Sequence, residues 1–413
     1  MVVVWPVCSH LLVIWFWDLI QLQRDFCGCN DHFLPICIEK KPRFQLTGVF
    51  LPVMLFYFHT TISSVLTIAL PEFVWRTWQD FSKVILLFIM TCLILRKQHH
   101  FDFFIWAIVL SVGFYGSVEG LKFLASGGGH NIAGPKGHLI HDNNHLALAL
   151  CMTLPLIIYL SEVTKEKIIK LALYGMLIVC IFAILGTFSR GGFLGLVVVS
   201  AYFWYKSKSR LRNLIIILFV TSITVAFVLP ERWFNRMDTI ETAVVEDSSF
   251  LGRLNSWKIH TLMAIDRPLI GGGFKACQFG YIWRRLALDI DTLDFIETPP
   301  PSNKGLAAHS IYFQVLGDHG FTGLLLFLSM LATSFFKLNG IVKYYRKRFK
   351  EKRHWAGRLA EMTRLSLLAY GSAGAALSMA YFELIYAILA LTVCLTLVQQ
   401  SEVNRDKDAV KLG

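Results

Sequence analysis

The sequence predicts an all-α polytopic integral membrane protein, with about 10–12 transmembrane helices and one large loop outside the bilayer. Apolar stretches that approach a bilayer crossing recur through the whole length. Hydrophobic residues make up 55% of the chain against 16% charged, and mean hydropathy is +0.54. Basic residues collect in alternate connections between the apolar stretches. Helices follow from the lipid setting, because a backbone group left unpaired in hydrocarbon costs several kcal/mol and a helix pairs its own.

The expected spans are Leu46–Leu70, Lys83–Leu95, Phe103–Leu121, His145–Leu160, Ile168–Phe188, Gly192–Tyr205, Asn213–Leu229, His309–Phe336, Leu365–Phe382 and Leu384–Val398. Val2–Ile20 is a further apolar stretch. It has no preceding basic residue and no small-residue cleavage site, so it does not read as a secretory signal peptide. One set of connections is basic: Lys40, Lys41 and Arg43; Arg96 and Lys97; Lys165, Lys167 and Lys170; Lys206 to Arg212; and the rich run from Lys337 to Arg364. Pro71–Ser82 and Lys122–Asn144 carry few cations. The positive-inside bias makes the first set cytoplasmic and the second external. The expected division is 1–229, N-terminal transmembrane helices; 230–308, a large external loop; 309–399, C-terminal helices; and 400–413, a cytoplasmic tail. Within the loop, Leu251, Leu254, Leu262 and Ile265 give Ser249–Ile265 a helical stripe, and Arg253, Trp257 and His260 share another face.

The net charge of +12 does not point to nucleic acid, since positive-inside loops account for most of it. The nine cysteines form no disulfide framework: most lie in apolar runs or in the segment assigned to the cytoplasm, and Cys277 alone reaches the external loop.

Four polar residues stand out. Lys83, Arg190 and His309 lie at or beside span ends, Arg253 lies in the long loop, and the topology puts all four on the non-cytoplasmic side. Three cations and a titratable base at one membrane face suit chemistry on a lipid-linked anion. Arg190 sits in the turn Gly186-Thr187-Phe188-Ser189-Arg190-Gly191-Gly192. Driving a guanidinium inward from the interface costs up to ~3 kcal/mol, and the glycines let backbone N–H groups approach an anion beside it. Lys83 follows an aromatic interface segment, where a headgroup anchor is the plain alternative; Arg253 reads equally as a surface arginine of an amphipathic helix. His309 suits a general base working near neutral pH. Asp318 does not serve as its partner, because nine helical residues separate the two side chains by ~13 Å along the axis. His141 and His145 are i, i+4, but no third metal ligand stands at a diagnostic spacing. Asp142-Asn143-Asn144 reads either as a helix-entry cap or as a set of sugar-hydroxyl partners, and Trp257 is a candidate glycan contact. Gly127–Gly129 and Gly271–Gly273 lack the Lys-Ser/Thr of a P-loop.

Three motifs in this order resemble the O-antigen ligase/polymerase superfamily of bacterial membrane glycosyltransferases: Thr187-Phe188-Ser189-Arg190-Gly191-Gly192, Gly252-Arg253-Leu254-Asn255-Ser256-Trp257, and Ala308-His309-Ser310-Ile311-Tyr312-Phe313-Gln314. More narrowly, Asp142-Asn143-Asn144-His145, Trp233-Phe234-Asn235-Arg236-Met237 and the His309 segment are similar to O-glycosylation ligases that accompany exosortase systems. The similarity runs from about Pro71 to Phe336. Gln314 stands where related chains often carry glutamate, and the N-terminal segment with Cys27-Gly28-Cys29 differs from the usual opening helices.

The resemblance implies a multi-pass protein of the bacterial inner membrane with its active site facing the periplasm. It implies transfer of a glycan from an undecaprenyl-pyrophosphate carrier, with no metal or other cofactor, to an acceptor hydroxyl on lipid A–core, a protein or a second glycan. Arg190 and Arg253, with Lys83 in support, would hold the pyrophosphate, and His309 would deprotonate the acceptor. Polymerisation of a lipid-linked glycan is the alternative within the superfamily. Transport of a lipid-linked sugar is a different class, against which the absence of an evident repeat weighs.

Overall fold

The computed structural model describes residues 48–137, 139–207, 248–293, 298, 300–349 and 354–412. Val2–Ile20, Cys27-Gly28-Cys29, the expected span Asn213–Leu229 and the Trp233–Met237 motif lie outside the described residues. The helices are α1 Phe50–Val65, α2 Pro71–Ile94, α3 Gln98–Ile108, α4 Phe114–Ala125, α5 Asn143–Val163, α6 Lys167–Gly186 and α7 Arg190–Lys206, followed by α8 Ser248–Asp266, α9 Gly280–Ala287, α10 Ile311–Phe349, α11 Trp355–Ala373 and α12 Glu383–Leu412. There is no strand among the described residues. Among the described residues, six helical stretches are long and apolar enough to cross a membrane: α2, α3 with α4, α5, α6, α10 and α12. The protein is therefore an all-α multi-pass membrane protein, as its composition predicts.

Packing follows from which helices are apolar all round. α5 buries every residue from Leu146 to Ile157, because α6, α7 and α11 enclose it. A helix with no polar face belongs in such a centre. By contrast, α6 leaves Leu171 73% exposed and Ile168 85% exposed, the surface expected of a helix that meets lipid. α3 passes into α4 through one π-helical turn, Val109–Gly113.

Several boundaries differ from the sequence expectation, each for a physical reason. α2 starts at Pro71, not Lys83, so the expected loop Pro71–Ser82 is its first half. Proline at the first helical position lacks an N–H that would have had no partner there anyway. Val74, Phe81, Val84, Ile85 and Phe88 form its buried stripe, while Arg76, Asp80 and Lys83 occupy the outward face and hide the span from a hydropathy count. Lys83 thus lies about 18 Å along the helix rather than at its end. α11 stops at Ala373, and the rest of the expected span to Phe382 is not α-helical. Its backbone is satisfied instead by side chains: Gln314 Oε1 accepts from Ala380 N–H at 3.1 Å, and Tyr370 donates to Met379 O at 3.0 Å. α12 runs on to Leu412, through the stretch expected as a tail.

α10 begins at Ile311, two residues after His309, and extends for 39 residues into the basic run beyond Phe336. It breaks at Gly320, with φ 70° and ψ −171°. The segment after α8 pairs three of the groups around the break. Gly272 N–H donates to Gly317 O at 3.0 Å, Gly273 N–H to Asp318 O at 2.8 Å, and Phe321 N–H to Pro268 O at 2.8 Å. A Cβ on Gly271 would lie 2.5 Å from His319 N, so the Gly271–Gly273 run serves this close docking. α8 lies along the first turns of α10: Trp257 stacks on Phe313 with centroids 4.9 Å apart, and His260 meets Gly317. The Trp257/His260 face read from the sequence is therefore a packing face.

Candidate functional site

The ends of α5, α7, α10 and α11 meet beneath α8. His309 occupies the short connection into α10 with φ +48°. A non-glycine residue in this left-handed region costs roughly 1–2 kcal/mol, and it persists only where its surroundings impose it. Three neutral hydrogen bonds do so here. His309 N–H donates to Ser378 Oγ at 2.7 Å, Trp257 Nε1–H donates to Ala308 O at 2.8 Å, and Ser256 Oγ donates to Ala307 O at 2.7 Å. The first comes from the segment between α11 and α12 and the other two from α8, so two elements distant in sequence fix the backbone that carries His309.

His309 is solvent-accessible and lies within electrostatic reach of Arg253, Asp142 and His145. Desolvation holds its pKa below the ordinary histidine value, Arg253 lowers it further, Asp142 pulls it back up, and His145 lowers it again. The net direction is down, so His309 is a neutral imidazole at neutral pH, with a lone pair available for a proton. Asp142 is the N-cap of α5, accepting from Asn144 N–H at 2.8 Å and Asn144 Nδ2 at 2.9 Å. Desolvation acts to raise its carboxyl, but the donations from Asn144 and the nearby His145 outweigh that and leave it below the usual range. The helix-cap reading of Asp142 is realised.

Arg190 opens α7 and is exposed. Ser189 caps that helix, its Oγ accepting from Gly192 N–H at 3.1 Å. A Cβ on Gly192 would come within 2.5 Å of Ala147 Cβ, so glycine there lets the start of α7 lie against α5. Asn143 Nδ2 donates to Thr187 O at 2.8 Å, which ties the arginine turn to the residue beside Asp142. The structure thus gathers Arg253, Asp142 and His145 around His309 and joins the Arg190 turn to the same end of α5.

The other candidates fall elsewhere or act indirectly. Lys83 is on α2, which packs on α12 and α1; its ammonium pairs with Asp80 at 2.8 Å, and no contact among the described residues links it to the His309 cluster. Trp257 commits its N–H to Ala308 and one face of its ring to Phe313, so it orders the histidine segment. Both carboxylate oxygens of Asp318 are engaged, by Lys275 N–H and Tyr381 OH, each at 2.9 Å, which leaves no His309–Asp318 dyad. Gln314 uses its carbonyl oxygen on Ala380 N–H, an acceptor role that a glutamate would fill equally. Ser378 carries no site signal in the sequence, and His145 is weighed there only as a metal ligand and as part of a family motif. A serine inside an apparently apolar span carries no signal of its own.

The fold and this cluster define a class: a multi-pass helical membrane protein in which a helix between the spans clamps a histidine segment at the ends of the bundle, within electrostatic reach of an arginine. Residues 175–328 match the family model described as O-Antigen ligase, which supports the superfamily that the motifs resemble. That stretch runs from α6 to the break region of α10 and contains Arg190, Arg253 and His309. Residues 32–165 match a second model, a family of unknown function (DUF5935). No curated protein matches the chain.

Proposed function

We propose that this protein is a ligase-type glycosyltransferase, moving a glycan from undecaprenyl pyrophosphate to an acceptor hydroxyl at the periplasmic face of the bacterial inner membrane. The observation that carries this reading is His309, held in a left-handed backbone, kept neutral and set beside Arg253 at the end of the bundle that bears the Arg190 turn. The acceptor oxygen attacks the anomeric carbon, the bond from that carbon to the pyrophosphate oxygen breaks, and His309 takes the hydroxyl proton. Direct displacement inverts the anomeric centre. Arg190 and Arg253 grip the pyrophosphate and offset the charge that grows on it as it leaves. Charge-assisted contacts of this kind are shorter and stronger than neutral ones. General-base help is worth roughly 10²–10⁴-fold in rate.

The test is transfer by purified protein from an undecaprenyl-pyrophosphate-linked glycan to lipid A–core, to a Ser/Thr-rich secreted protein, or to a second lipid-linked glycan. The expected outcome is transfer to one of the first two by wild type and none by His309→Ala. Transfer to the lipid-linked glycan would make the protein a polymerase. Transfer at the wild-type rate by His309→Ala would remove the base assignment.

A further inference from the structure

A second polar site lies on α2, away from His309. Between the first turns of α2 and the segment after the Gly271–Gly273 run is a groove of about 410 Å³. Arg76 and Asp80 enter it from α2, and Lys275 and Gln278 from the facing segment. Phe73 and Phe279 form an aromatic wall, edge to face with centroids 5.9 Å apart. None of these residues belongs to the His309 cluster.

The charge arrangement favours an anion. Lys83, one turn below Asp80, pairs with it at 2.8 Å, and Glu383 lies within electrostatic reach of the same carboxylate. Neither Arg76 nor Lys275 forms an ion pair among the described residues, and Lys275 lies within electrostatic reach of Asp318, so two cations face the groove against Asp80, which Lys83 neutralises. Lys275 is built in at some expense to its backbone: it has φ +58°, a conformation uncommon outside glycine. Its N–H donates to Asp318 Oδ1 at 2.9 Å, and a 3₁₀ turn, Ala276–Gln278, follows directly. The fold therefore fixes a lysine where a glycine is the ordinary choice.

The groove also sits at a defined depth. Trp75 and Trp78 lie in the same early turns of α2, and tryptophan is enriched at the headgroup level of membranes. From there Arg76, Asp80 and Lys83, spaced i, i+4, i+7, descend one outward face into the span. Lys83 is 76% exposed on that face. A lysine exposed on a membrane-spanning helix is costly and marks a functional position by default.

We propose that this groove binds the phosphate of a membrane amphiphile. The phosphate lies between Arg76 and Lys275, and the hydrocarbon chain follows α2 past Lys83. A polyprenyl phosphate and an ordinary anionic phospholipid share this chemistry, and the site does not depend on the transfer reaction proposed above. The test measures lipid retention by the full-length protein, using undecaprenyl phosphate, dioleoyl phosphatidic acid and dioleoyl phosphatidylcholine as probes in native mass spectrometry. Wild type is expected to retain at least one of the two phosphate monoesters about tenfold more tightly than phosphatidylcholine, in keeping with charge-assisted phosphate contacts. Measured in an Arg190→Gln/Arg253→Gln background, which removes the proposed donor site, Arg76→Gln/Lys275→Gln should lose that preference and Arg76→Lys/Lys275→Arg should keep most of it. Retention of undecaprenyl phosphate alone identifies a carrier lipid, and equal retention of phosphatidic acid identifies bulk phospholipid. Should the double variant not fold, Arg76→Gln on its exposed helix face gives the same reading. Unchanged phosphate-lipid binding in the folded glutamine variant, or no wild-type preference over phosphatidylcholine, overturns the proposal.

Discussion

The two ends of the bundle use charge in opposite ways. At the basic end, Arg358 donates from Nε and Nη2 to Glu162, both at 2.6 Å, and from Nη1 to Glu361 at 2.6 Å. Glu361 also takes Lys206 at 3.1 Å and the Tyr202 hydroxyl, and Arg364 donates to Asn339 at 2.6 Å. The charges there answer one another across α5, α7, α10 and α11, and the network fastens the helices together. At the other end, neutral hydrogen bonds from Ser378, Trp257 and Ser256 do the fastening. Arg253 and Asp142 act on His309 from a distance, through their fields. The ion-pair network fastens helices, whereas Arg253 and Asp142 also tune a neighbour's proton affinity.

The contrast can be broken most sharply at the histidine. His309→Ala should reduce glycan transfer by at least ~10²-fold while donor retention stays intact; a wild-type rate would place the base elsewhere. At the basic end, Arg358→Ala should cost about 3 kcal/mol of stability, because it removes the bidentate partner of Glu162 and one of the partners of Glu361. Thermal unfolding in detergent measures this, and folded enzyme should keep its activity. Arg190→Ala should show the reverse, with weakened donor binding and a stability change below about 1 kcal/mol. Ser378→Ala should lower the rate about tenfold, the scale of one hydrogen bond of ~1.4 kcal/mol, by releasing the left-handed backbone of His309. Ser378→Thr should restore it, and KM should stay unchanged in both. The smallest effect is expected from Asp142→Asn, which keeps a good helix cap but removes the charge that raises the His309 pKa. Transfer requires neutral His309, so its rate climbs as pH rises through that pKa, and in this variant the climb should move to lower pH.

How much of this was legible follows from which signals are local. Helix type, the existence of α8 and the Arg190 turn are written in short-range patterns of apolar residues and glycines, and they stand where the sequence puts them; the apolar stripe of α8 is not its packing face, since Ile265 is exposed while Trp257 and His260 meet α10. α2 was cut short because Arg76, Asp80 and Lys83 lie on its outward face, and a hydropathy count does not distinguish a polar face from a loop. α11 was run too long because the 374–382 segment is apolar yet not α-helical, its backbone satisfied by Gln314 and Tyr370 from across the bundle. The same distance hid Ser378. Lys83 was grouped with the arginines on charge and expected side alone, and only packing shows that α2 stands with α1 and α12.

The central claim is that His309 and Arg253 form one centre in which a neutral imidazole accepts the acceptor's proton. The most direct measurement is the pH dependence of transfer by wild type and Arg253→Gln. The acid limb of the wild type should lie below the ordinary histidine value of about 6.5, because desolvation and Arg253 both lower the His309 pKa. Removing the guanidinium should move that limb to higher pH, whatever it does to the maximal rate. A limb at the same pH in both proteins would contradict the account.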